Sequence, residues 1–227
     1  MTTSNKAGAS HIQTHVPGFP RIGAARELKF ALEAHWRGEL PEADLEAVGR
    51  ALRARHWALQ ADAGLDFVSV GDFAFYDHVA NHVQLLGCEP ARYGFDPRQS
   101  QLGRYFAMAR GDGRDDHHEC GHGCAHDDGV HASAALEMTK WFDTNYHYLV
   151  PEFTPETAFS LACERLFDEV AEAQALGHAV KAVLLGPLSF LWLGKEKTVG
   201  FHRLDLLDKL LPVYGAALDR LKAQGVQ

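Results

Sequence analysis

The order of apolar patterns along the chain predicts an α/β fold built on parallel-barrel logic. Three observations carry this expectation. Strand-like runs at 65–70, 144–150 and 179–185 alternate with helix-length amphipathic runs, the alternation of a parallel sheet with crossover helices. The run 179–185 is apolar apart from Lys181, as in a strand covered on both faces. Asp72 falls just past the C-terminal end of the first run, where barrel enzymes place functional groups.

Taken in order, residues 1–15 read as a mobile tail, and MTTSNKAGAS has no apolar core, so it is not a secretory leader. Gly18-Phe19-Pro20-Arg21-Ile22-Gly23 is rich in turn formers, and Leu28, Ala31, Leu32 and Trp36 predict a helix over 24–36. Arg21, Arg26 and Lys29 against Glu27 leave this stretch locally +2 on a chain of formal charge −8. Arg26 and Lys29, three apart, share a helix face; by itself that is a solvated basic face.

The stripe Leu45, Val48, Leu52, Arg55 and Leu59 predicts a second helix over 41–63, capped by Gly64. The first strand, 65–70, follows. Asp72 suits either a ligand contact or a helix N-cap. A helix over 75–86 contains Asp77 and His78, read as a local polar pair with a structural role. A short helix is expected over 101–110. A further helix over 154–176 would bury Phe159, Cys163, Leu166, Val170 and Ala173, with Cys163 acting as a small apolar residue. The residues at 188–192, after Gly186-Pro187, either line a ligand site or cap the barrel. The last helix, 203–221, contains Pro212, which should kink or split it. Residues 225–227 look like the start of another strand.

Composition narrows the function. With 46% hydrophobic residues among 227, the chain can bury a core, so disorder is not a candidate class. The net negative charge disfavours non-specific binding to nucleic acid or anionic membranes. A polyanionic ligand would need a local basic patch. The most apolar run, 183–193, is too short for a membrane span. Cys88, Cys120, Cys124 and Cys163 are expected to be reduced thiols in a cytoplasmic protein.

Two stretches carry chemistry. Between 111 and 131 lie His117, His118, Cys120, His122, Cys124, His126 and His131, among aspartates and glycines. That donor set is sufficient for tetrahedral zinc, although the Gly and Asp content predicts a loop. It supports one alternative function, a standalone metal-binding protein. The other stretch, 137–151, packs aromatic and imidazole rings around Lys140, Asp143 and Asn145. The run 144–150 has strand character and Pro151 stops it. Lys140 and Asn145 then sit at a loop-to-strand corner suited to an anionic, partly aromatic ligand. An aromatic core strand beside a solvated lysine is the plainer alternative.

The wording of four segments adds to this. GFPRIGAARELKFALEAHW (18–36), VGDFAFYDHV (70–79), MTKWFDTNYHYLVPEF (138–153) and VLLGPLSFLWLGK (183–195) occur in this order. Together they resemble the N-terminal half of the cobalamin-independent methionine synthase family, the 5-methyltetrahydropteroyltriglutamate–homocysteine methyltransferases. The resemblance implies an incomplete (β/α)8 TIM barrel, about its first three βα units. Residues 16–227 would form this partial barrel, with 111–131 as an insertion. The family moves a methyl group from 5-methyltetrahydropteroyltri-L-glutamate to L-homocysteine to make methionine, with zinc presenting the thiolate. The resemblance places folate and glutamate-tail contacts at Arg26, Glu27, Leu28 and Lys29, and tail contacts at Lys140 and Asn145. It places no catalytic residue here, because the zinc ligands belong to a second barrel. His117, Cys120, His122, Cys124 and His126 do not match those ligands. On this reading the chain is an N-terminal part, inactive alone, of a monomeric cytoplasmic enzyme with small-molecule partners.

Overall fold

The computed structural model describes residues 12–111 and 134–226. The first helix, α1 (Glu27–Trp36), starts later than its apolar spacing suggests, because Arg26 takes a left-handed conformation at φ 61°. The residues before it form turns: Arg26 N–H donates to Gly23 O and Leu28 N–H to Ile22 O. The second helix, α2 (Glu42–Asp62), matches its expected span closely. Gly64 ends it at φ +81°, with Gly64 N–H on Ala61 O and Leu65 N–H on Gln60 O. This paired arrangement satisfies carbonyls that the helix end leaves open, and glycine takes the left-handed position at little cost.

The first strand, β1 (Val68–Val70), is shorter than expected. Asp66 and Phe67 instead donate to Thr14 O, and Asp66 Oδ2 accepts from Thr14 N–H at 2.7 Å. Thr14, within the stretch read as a tail, is therefore fastened to the body. Two helices follow, α3 (His78–Leu85) and α4 (Gln101–Arg110), with side-chain caps from Asp77 and Ser100.

The aromatic stretch departs from expectation. It forms an antiparallel hairpin of β2 (Met138–Lys140) and β3 (His147–Leu149), with Lys140 opposite His147. Residues 144–146 belong to the turn. Thr144 donates to Trp141 O through both its backbone N–H and its Oγ1, and Phe142 lies at φ 50°. A β-branched residue counted toward a strand is thus used as a turn closer. Lys140 is accordingly the last residue of a strand, and 144–150 does not join the parallel ladder.

After β4 (Glu152–Phe153), the expected helix over 154–176 begins only at α5 (Arg165–Ala175). Ser160 N–H donates to Leu86 O and Ala162 N–H to Leu85 O. These donors satisfy carbonyls at the end of α3, so they are unavailable to a helix of their own. Cys163 is nevertheless buried, as expected. β5 (Val180–Ala182) pairs in parallel with β1, Val68 opposite Val180 and Val70 opposite Ala182. α6 (Pro187–Leu193), β6 (Lys195–Glu196) and α7 (Leu207–Ala223) complete the order, and β6 lies parallel to β4. Pro212 does not split α7; the break lies earlier, at a 3-10 turn over Arg203–Leu206. The Asp208 carbonyl that loses its donor belongs to an exposed residue, where water can replace the bond. Gly225 and Val226 close α7 by donating to Lys222 O and Leu221 O, rather than opening a strand.

The fold is therefore mixed α/β. One apolar core gathers α1, α3, α4, α6 and the hairpin. A second gathers Trp57, Val68, Val70, Phe167, Val170 and Leu221 between α2, β1, α5 and α7. α2 is keyed to β1 by polar bonds as well. Trp57 Nε1–H donates to Ser69 O at 2.9 Å, and Gln60 Oε1 accepts from Ser69 N–H at 2.9 Å.

Candidate binding site

The site is built on the loop that leaves β1. Asp72 in this loop accepts from Phe19 N–H at 2.7 Å. Burial pushes its carboxyl up, while the Phe19 N–H pulls it down. The Arg21 guanidinium donates to the carbonyls of Ala74, Phe75 and Tyr76 at 3.2, 2.9 and 2.6 Å. Its cation is spent on backbone, so it organises the loop. These bonds tie the segment before α1 to the loop.

The other side of the loop holds the hairpin. Asp77, 2% exposed, accepts from Ala80 N–H at 3.0 Å as the α3 N-cap, from Tyr146 Oη–H at 2.8 Å and from Leu149 N–H at 3.3 Å. Tyr105 Oη donates to Asp77 O at 2.7 Å and accepts from the N–H groups of Tyr76 and Asp77. One buried carboxylate thus joins a helix N-terminus to a hairpin.

The candidate residues divide by role. Leu28 is fully buried in the core. Glu27 accepts from Ala25 N–H at 3.0 Å and from Arg55 Nη2 at 2.7 Å, joining α1 to α2. Its own backbone N–H and the Arg55 guanidinium hold its carboxyl below the usual range. Arg26 and Lys29 are exposed, and Lys29 lies 3.6 Å from Glu33. Lys140 and Asn145 are exposed on the hairpin. Among the described residues no hydrogen bond or ion pair joins the α1 cluster to the hairpin cluster; each reaches the other through the loop 71–77.

An apolar cleft of about 510 Å³ adjoins the hairpin, between Trp141 and Phe142 on one side and Leu188, Trp192 and Leu204 on the other. The 188–192 stretch lines this cleft with the exposed Leu188 and Trp192, while Phe190 and Leu191 are buried beneath. His78 stands against Trp141 with ring centroids 5.2 Å apart. Sequence reasoning treated Asp77 and His78 as a local pair and gave no role to Tyr146. No sequence signal marks Tyr146 as the partner of a carboxylate 69 residues away.

His117, Cys120, His122, Cys124 and His126 lie outside the described residues. Among the described residues no group of three or more His, Cys, Asp or Glu side chains could hold a metal ion. Cys88 and Cys163 are buried, and burial pushes both thiols up, away from the thiolate a zinc site needs. The described residues therefore do not fit a catalytic zinc. No helix among them is long and apolar enough to cross a membrane.

The sequence profile of the cobalamin-independent synthase N-terminal domain matches residues 13–227. The chain belongs to this family. It is 53% identical over 215 residues to the 5-methyltetrahydropteroyltriglutamate–homocysteine methyltransferase of Paraburkholderia xenovorans. The enzyme of the same name from Paraburkholderia phytofirmans is also 53% identical over 215 residues. These matches cover 95% of this chain and 26% of each relative. The chain thus spans about a quarter of the length of the curated synthases it matches. Arg26 to Lys29 and Lys140 to Asn145 fall inside the span that matches the synthase N-terminal domain.

Proposed function

We propose that this chain supplies the folate-binding side of methyl transfer from 5-methyltetrahydropteroyltri-L-glutamate to L-homocysteine, the reaction named by its relatives. One observation carries the reading. On a chain of net charge −8, exposed basic residues stand on the two elements that adjoin one loop: Arg26 and Lys29 follow Arg21, which binds the loop, and Lys140 and Asn145 lie on the hairpin that Tyr146 joins to it. A γ-glutamyl tail is a string of carboxylates, and such clusters suit it. Glu27 and Leu28 contribute by placing Arg26 and Lys29. The parallel ladders β1–β5 and β4–β6 are read as parts of an incomplete (β/α)8 barrel within residues 16–227. Residues 111–131 are read as an insertion and the complete enzyme as a cytoplasmic monomer. Zinc and homocysteine chemistry is assigned to the part of the relatives that this chain does not cover.

Calorimetric titration of the chain with the triglutamate and monoglutamate forms of 5-methyltetrahydrofolate tests the reading. The triglutamate should bind more tightly. A charge-assisted hydrogen bond contributes roughly 1.5–3 kcal/mol and an exposed ion pair only about 0.2–1. Lys140→Met should therefore raise Kd for the triglutamate about tenfold and leave the monoglutamate nearly unchanged. Added salt should weaken the wild type more than the variant, which has lost the cation that salt screens. Equal affinity for the two ligands, untouched by Lys140→Met, would remove the tail-binding assignment.

A further inference from the structure

Beside Lys140 and Asn145 lies a side-chain relay that tail binding by cations does not use. Tyr146, at the end of the hairpin turn, donates its phenolic proton to Asp77 Oδ1 at 2.8 Å. A phenol has one proton to give. His78 Nδ1 lies 3.2 Å from the same phenolic oxygen, so it must be the donor in that contact. The chain of bonds runs from His78 Nδ1–H to Tyr146 Oη–H to Asp77. It leaves Nε2 as the available nitrogen of an imidazole whose side chain is 29% exposed. The ring is held in place by Trp141, the residue after Lys140, at 5.2 Å, and by Tyr146 at 5.8 Å.

We propose that His78 is a further ligand-binding group of this site, contacting a carboxylate of the glutamyl chain through Nε2, with Tyr146 and Asp77 as the positioning residues that orient it. The proposal rests on the tail-binding reading. It adds a residue of a different kind, one whose charge depends on pH. A neutral Nε2 carries a lone pair and repels a carboxylate, whereas the imidazolium donates to it. Binding must therefore bring a proton to Nε2.

The groups facing His78 set where this happens. Burial opposes the imidazolium most, the Asp77 carboxylate favours it, and the Arg21 guanidinium opposes it, so protonation falls below the ordinary histidine range. His82 approaches from the same helix, its Nδ1 on the His78 carbonyl at 2.8 Å. Lys140 and His147 flank the turn on the hairpin side.

Two measurements on the full chain test the proposal. Ring 15N chemical shifts should show His78 protonated at Nδ1 in the wild type and a mixture of tautomers in Tyr146→Phe. Calorimetric titration with the triglutamate from pH 8 to pH 6 should show affinity rising several-fold as pH falls. In His78→Gln, whose amide can still reach Tyr146, that rise should disappear. Tyr146→Phe should reduce it, with thermal unfolding lowered by only a few degrees, as expected for one donor lost to the buried Asp77 carboxylate. If His78→Gln keeps the wild-type pH profile while Lys140→Met still weakens binding, the tail site stands and the role of His78 is overturned. A wild-type His78 protonated at Nε2 alone would break the relay. If the wild type shows no preference for the triglutamate, the tail-binding reading falls and this proposal falls with it.

Discussion

His82 shows how strongly a single side chain can be committed. Its Nδ1 is 2.8 Å from His78 O and its Nε2 accepts from Leu185 N–H at 3.0 Å. With the residue 4% exposed, both nitrogens are used, and only the neutral Nδ1–H tautomer satisfies both contacts. Burial pushes its pKa down from 6.5 to about 4. A lowered histidine pKa means that the unfolded chain takes up the proton first. The contribution is complete above about pH 6.5 and is lost as pH falls toward 4. The stability difference between wild type and His82→Gln should therefore shrink by about 2–3 kcal/mol between pH 7.5 and 4.5. Urea unfolding at the two pH values measures it, and a constant difference would show that the ring bonds do not depend on its charge state. By charge and spacing alone Arg26 and Lys29 read as a solvated basic face, and both are exposed; their place among ligand contacts is what the family resemblance implies. The commitment of Arg21 to three carbonyls, and of His82 to a strand end 103 residues away, could not be read from the sequence, because each depends on a partner that only folding brings near.

At the scale of elements, α2 depends on more than its apolar stripe. Ser69 is 1% exposed, its N–H points away from β5, and Gln60 Oε1 accepts from it. Gln60→Leu keeps the volume but leaves that N–H without an acceptor, a loss of about 1–3 kcal/mol. Chemical denaturation should show this destabilisation, whereas a substitution at an exposed α2 position such as Arg50→Gln should cost less. An unchanged midpoint for Gln60→Leu would mean that water replaces the amide. The elements best read from sequence are those whose periodicity agrees with their backbone bonding, namely α2 and α4. Misread segments are those where a local pattern competes with a distant acceptor. Phe159 and Cys163 are spaced for a helix, yet Ser160 and Ala162 donate to the end of α3. Thr144 has strand propensity, yet its hydroxyl closes a turn.

For the whole molecule, the outer edge of the parallel ladder matters most. Among the described residues β5 pairs with β1 alone, so the N–H groups of Val180 and Ala182 face away from the ladder. They should exchange with solvent much faster than those of Lys181 and Val183, which face β1. Residue-resolved hydrogen exchange would check this, and equal protection would reveal a partner on that edge. Such an edge invites pairing with another strand, so sedimentation should show association increasing with concentration. The loop 71–77 has a different consequence at this scale. Because Arg21 and Tyr146 tie both basic elements to it, a multivalent anion bound as proposed at one of them would meet the other as a tethered partner, at an effective concentration set by the geometry of the loop. Two weak contacts would then act as a chelate, with an overall constant equal to the product of the two and that effective concentration.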